Sequence, residues 1–257
     1  MNTDDSTHKA PRTVEPRQIA PWWPVAVVLS ILVVSNVVAN LWLLEWMYVP
    51  WNILVAIGIV TFALRVDKQS TDDLGLLARK IPTGLRFGGA FALVVLAVYI
   101  AAVALPTTRG FFSDDRADQS FNDLLIQLAI VIPFGTVLME EFIFRGVLPA
   151  MFHDRFSSKQ RRLYGDLLAA LCFGLWHVLP SLSMYSSIPA LQDLLGGPAA
   201  QFLTVAGSVI ATGVAGMFWS WMRNRSSSLA GPIILHYSIN AFGLTIAWLT
   251  FNSQALG

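Results

Sequence analysis

The sequence predicts an all-α fold, a polytopic bundle of seven or eight membrane-spanning helices. Three observations predict it. Apolar residues make up 55% of the 257 residues and charged residues only 13%, where a soluble domain carries about 25% charged residues. The apolar residues come as long blocks, and the mean hydropathy is +0.59. Finally, Lys and Arg fall on one side of a membrane when the blocks are threaded through it in turn.

Seven blocks can be drawn, at about 22–44, 50–66, 85–105, 123–150, 164–180, 201–221 and 230–250, each near the roughly 17–25 residues needed to cross. A polar tail, 1–21, precedes a first block with no small-residue cleavage site, which reads as a retained helix and not a removable signal peptide. Residues 22–120 form the N-terminal membrane helices and their connections, 121–250 the domain that carries the chemistry, and 251–257 a short tail. With the N-terminus cytoplasmic, fourteen of the seventeen basic residues lie on the inner side, and only Arg109 and Arg116 lie outside; Arg145 is within the fourth block. That places the protein in the cell membrane as a multi-pass chain in contact with membrane lipid.

The connections differ in character. Asp72 to Ile81 (DDLGLLARKI) reads either as a short interfacial helix or as a solvated loop. Thr107 to Asp123 reads as a polar outer loop, Pro180 to Ala200 as an outer loop that re-enters in part near Ser183 to Leu195, and the serines at 226–228 as a turn. The net charge of +1 and the lack of a basic tract exclude nucleic acid as a partner. The single cysteine, Cys172, excludes an intrachain disulfide and any multi-cysteine metal site.

Three polar constellations interrupt the apolar helices. The first is VLMEEFIFRGVLP at 137–149. Residues four apart share a helix face, whereas neighbours are rotated by about 100°, so Glu141 and Arg145 can pair while Glu140 turns away. The less neutralised Glu140 then suits a general base; an ion-pair network holding helices together is the structural alternative. The second is FGLWH, with Phe173 one turn before His177. The third is His236 with Asn240, four apart on the last helix, with Pro232 in its first turn. An imidazole and an amide on one face can donate to an oxyanion or clasp two helices. Ser208 and Ser238 lack a nucleophile-elbow setting, and no H-E-x-x-H is present.

Taken together, EExxxR, FxxxH and HxxxN in this order, with FRG after the glutamates and DDLGL upstream, resemble the CPBP intramembrane proteases, the group that includes the type II CAAX prenyl endopeptidases. The resemblance covers about Leu125 to Leu244. It implies a helix bundle around a water-filled chamber open to the cytoplasm or the bilayer. It also implies roles: Glu140 activates a water, His177 orients or shares it, His236 and Asn240 stabilise the oxyanion, and Glu141 with Arg145 holds the geometry. Members are described as metalloproteases and as metal-independent glutamate proteases, so the cofactor is either none or a single divalent metal such as zinc, with Glu140, His177 and His236 as its candidate ligands. The bulk of Trp176 beside His177 narrows the chamber, and eight spans are expected from the best-known members.

The leading expectation is therefore an endopeptidase acting on a membrane-associated protein or peptide, lipidated or not, in CAAX-type processing or peptide maturation. A non-catalytic scaffold or bacteriocin-immunity protein is the alternative. A solute transporter is disfavoured, because the polar residues cluster without a second gate.

Overall fold

The computed structural model describes residues 19–112, 117–157, 159–187 and 197–255. Seven of its helices are long and apolar enough to cross a membrane: α1 Trp23–Leu41, α2 Glu45–Arg65, α3 Ala78–Ala104, α4 Phe121–His153, α5 Arg161–Leu182, α6 Ala199–Ser226 and α7 Ala230–Asn252. Among the described residues there is no strand. Large apolar side chains such as Leu54, Leu93, Val98, Phe202 and Ile210 are exposed around the outside, which is the arrangement a lipid solvent selects. The protein is thus a multi-pass, all-α membrane protein.

In lipid, helices associate through close packing of small residues more than through burial of apolar surface. Helix α3 carries Gly84 and Gly88 one turn apart, and a Cβ on Gly88 would stand 2.5 Å from the Gly231 carbonyl oxygen of α7. Gly174 of α5 does the same against α6, where a Cβ would meet the Val209 carbonyl oxygen at 2.6 Å. These two approaches draw in the helices that bear His236 and His177.

Helix α4 is not a regular α-helix throughout. Wide π-type turns run over Gln127–Val137 and Phe142–Val147, with one regular stretch, Leu138–Glu141, between them. Pro133 lies in the first wide stretch and Pro149 just beyond the second. A proline lacks the N–H of its own turn and its ring crowds the carbonyl four residues back, which a wider turn relieves. Both glutamates sit on the regular turn between these relaxed segments. Ser120 caps the start of α4, its hydroxyl accepting from the Asp123 amide at 3.2 Å.

The ends of the helices that carry residues 19–21, 67–69 and 154–155 are tied by a polar network. Arg155, buried at the end of α4, forms an ion pair with Asp67 after α2 and donates to the Pro21 carbonyl at 3.1 Å, while Gln69 bridges Asp67 and Asp154. Residues 19–21, 67–69 and 154–155 therefore share one face of the bundle, as the alternating threading requires.

Several connections differ from the expectations above. The 72–81 segment is neither an α-helix nor a solvated loop: it is a chain of turns ending in a short 3-10 turn, Ala78–Lys80. Leu74 is buried at 1% exposure, and the backbone carbonyl at Gly75, which has φ +73°, accepts from the Leu229 amide at 3.0 Å. The burial of Leu74 anchors the segment across the inner ends of α6 and α7. The loop expected from Pro180 is shorter, because helix continues through Val178–Ser187 and resumes at Gly197. The intervening residues 188–196, where much of the expected re-entrant segment falls, lie outside the described residues, as do 113–116 of the outer loop after α3.

Candidate active site

Glu141 is fully buried on the regular turn of α4. Its Oε1 accepts from Nδ1 of His236 at 2.7 Å and lies 3.3 Å from Arg145 Nη1. The pairing expected from the four-residue spacing is therefore present, and His236 completes it. Arg145, at 1% exposure, stacks its guanidinium 3.7 Å over the Phe173 ring and 4.6 Å from the Trp219 ring. A planar, weakly hydrated cation is suited to such a place, where the ring faces replace water. Trp219 also stacks on the His236 ring, with centroids 4.6 Å apart and planes within 17°. His236 is thus fixed in plane by α6 and in rotation by α4.

Glu140 is held differently. One oxygen, Oε1, accepts from the Trp176 indole N–H at 3.0 Å. The other, Oε2, has no hydrogen-bond partner among the described residues although Glu140 is only 5% exposed. It faces His236 Nε2 at 3.8 Å. With Nδ1 directed at Glu141, Nε2 is the ring nitrogen left to face Glu140. The separation exceeds a hydrogen bond, and at such a spacing one water can bridge two polar atoms. Glu140 does turn away from Arg145, but not from all partners, since one imidazole spans both carboxylates.

His177 does not lie in the middle of a continuous helix. Helix α5 is regular to Trp176 and breaks at His177, which has φ −84° and ψ 1°. The cause is Pro180, which offers no N–H to the Trp176 carbonyl four residues earlier. Asn36 of α1 fills that place, its Nδ2 donating to Trp176 O at 3.0 Å. The break aims Trp176 at Glu140, while His177 packs on Phe173 with centroids 4.5 Å apart and turns Nδ1 to the Phe173 carbonyl at 2.8 Å. The indole, which the sequence reading treated only as bulk beside His177, is thus a hydrogen-bond donor to Glu140. Asn240, half-buried one turn beyond His236, makes no side-chain hydrogen bond among the described residues.

Among the described residues no three His, Cys, Asp or Glu side chains come together as metal ligands. Glu140, His177 and His236 therefore do not form a ligand set as they stand, and the chemistry below is derived from the side chains alone.

Three participants were not read from the sequence: Trp176 as a donor, Trp219 and Asn36. The available signal was polar capacity in apolar helices. An indole N–H or a carboxamide in hydrocarbon needs a partner, but sequence spacing does not say which.

Residues 122–242 match the family model described as type II CAAX prenyl endopeptidase Rce1-like. No curated protein and no solved structure matches the chain significantly. The matched segment runs from the first turn of α4 to the middle of α7 and contains every residue of the three motifs. Over residues 122–242 the chain is similar to the Rce1-like type II CAAX prenyl endopeptidases, consistent with a member of the CPBP proteases.

Proposed function

We propose that this protein is an endopeptidase that hydrolyses a peptide bond of a membrane-associated protein or peptide with a water activated by Glu140. The observation that carries the reading is the asymmetry of the Glu140 carboxylate. One oxygen is fixed by Trp176, and the other is buried, without a partner and 3.8 Å from His236 Nε2. A buried acceptor left open costs about 1–3 kcal/mol, a cost that a bound water or substrate offsets.

In this mechanism water donates to Glu140 Oε2 and is oriented by His236 Nε2. As its oxygen attacks the scissile carbonyl carbon, its proton passes to Glu140 and the carbonyl electron pair moves onto oxygen. The Asn240 amide and Nε2–H of His236, in the form of the ring that carries a proton on both nitrogens, donate to that oxyanion. When the tetrahedral species collapses, the C–N bond breaks and the Glu140 proton goes to the leaving nitrogen, which regenerates the carboxylate. His177, with Nδ1 engaged by the Phe173 carbonyl, keeps Nε2 for the water or the substrate. Glu141, which accepts from Nδ1–H, and Arg145 hold His236 in position.

The family description supports a lipid-modified C-terminal segment as the first substrate class to try, and the basic inner loops support a site served from the cytoplasmic side. The test compares protein termini in membranes of cells carrying the wild-type chain or Glu140→Gln at matched abundance. The expected result is a set of new termini present only with wild type. Identical termini in both, with small membrane peptides covered, would overturn the proposal.

A further inference from the structure

Among the buried polar atoms without a hydrogen bond, one lies on a membrane helix before the family match, close to Glu140. Asn52 of α2 is 1% exposed, and its Oδ1 has no hydrogen-bond partner among the described residues. The Asn52 side chain hydrogen-bonds the Tyr48 phenol, and its buried oxygen left without a partner is disfavoured by about 1–3 kcal/mol, so a group that meets that oxygen is implied. Its surroundings say where. Helix α2 lies against α4 so closely that a Cβ on Gly135 would stand 3.0 Å from the Tyr48 ring. The Tyr48 hydroxyl is 3.3 Å from Thr136 Oγ1, and both Asn52 and the Glu140 charge lie in the surroundings of this phenol. Tyr48 and Asn52 are one turn apart on α2, and Thr136 and Glu140 are four apart on α4. Both helices run from the outer to the inner side, so the two pairs face each other in register. Tyr48 meets Thr136 at the outer level, and Asn52 comes next at the level of Glu140.

We propose that Asn52 is a further residue of the active site, whose carboxamide accepts a proton of the Glu140-bound water from the α2 side, with Tyr48 as a positioning residue behind it. The water then gives one proton each to Glu140 Oε2 and Asn52 Oδ1, and its lone pair is left directed at the substrate carbonyl. Two acceptors fix the nucleophile's orientation where one would leave it free to rotate. This rests on the hydrolytic reading above, and no bond beyond that reaction is made or broken.

The experiment measures cleavage of a synthetic peptide spanning a wild-type-dependent terminus, together with thermal midpoints, for the full chain in lipid nanodiscs. Asn52→Leu is the main variant, and Asn52→Ala serves if Leu fails to fold. The expected result is a kcat lowered about ten- to a hundredfold with KM unchanged, a Tm equal to or above wild type, and a smaller fall in kcat for Tyr48→Phe. Wild-type kcat in Asn52→Leu or Asn52→Ala would overturn the proposal. So would a Tm lowered by both in step with activity, because that marks a packing amide. Absence of any wild-type-dependent terminus overturns the protease reading instead. The Tm of Asn52→Leu then decides about Asn52 alone: a lower value overturns its placement as an open site group, and an equal or higher value supports it.

Discussion

Two halves of one site, built on adjacent residues, differ in how the fold pairs their charge: Arg145 lies against Glu141 and not against Glu140. On the Glu141 side charge is matched: Oε1 of the carboxylate is met by His236 and Arg145, the guanidinium is covered by Phe173 and Trp219, and the imidazole is stacked, although Glu141 Oε2 has no hydrogen bond among the described residues. On the Glu140 side the carboxylate is steered by one indole, and its second oxygen faces only His236 Nε2 at 3.8 Å without a hydrogen bond, with Asn52, whose Oδ1 also lacks one, on the helix packed behind it. The difference teaches how a membrane interior keeps a reactive acid. Charge is neutralised at one neighbour, which anchors the helices, so that the other can remain underused. The helical rotation between residues 140 and 141 makes the division possible, because the two side chains leave the helix in different directions.

The comparison is broken most severely at Glu140 itself. Glu140→Gln retains shape and abundance but removes the proton acceptor, and cleavage falls by about 10²–10⁴-fold, read from the wild-type-dependent termini. Glu141→Gln has the reverse outcome. It leaves Arg145 buried without its counter-charge, which destabilises by about 3–5 kcal/mol, seen as low abundance in membranes and a lowered Tm before any kinetic effect. Trp176→Phe sharpens the contrast, because it removes only the donor that orients Glu140; kcat drops about tenfold, the loss of one oriented contact, while Tm changes little. The smallest effect is expected from Asn36→Leu. It uncovers the Trp176 carbonyl at the break in α5, costs about 1–3 kcal/mol, and lowers kcat by less than Trp176→Phe does.

The N-terminal helices acquire a meaning from this arrangement. Residues before 122 lie outside the family match, yet Asn36 on α1 supports the turn that aims Trp176, and Tyr48 on α2 reaches Thr136 on the helix of the glutamates. Asn36 and Asn52 stand in the sequence as polar residues within apolar blocks. Their partners are not legible there, because a carboxamide in lipid states a need for a hydrogen bond without stating where it is met.

The sequence by itself determined the seven spans, their alternating direction, the all-α class and the three motifs. Long apolar blocks and one-sided basic residues follow from the thickness and charge asymmetry of the bilayer. It also determined the Glu141–Arg145 pair, because residues four apart share a face whatever the fold around them. Tertiary structure alone decided which imidazole meets the glutamates, that Trp176 and not His177 bonds Glu140, and that DDLGL folds as turns pinned by Leu74. Each of these is a contact between helices distant in sequence. Each is set by close approaches at glycines such as Gly88 and Gly174 and by backbone breaks at prolines such as Pro180, where the outcome depends on what the neighbouring helix presents.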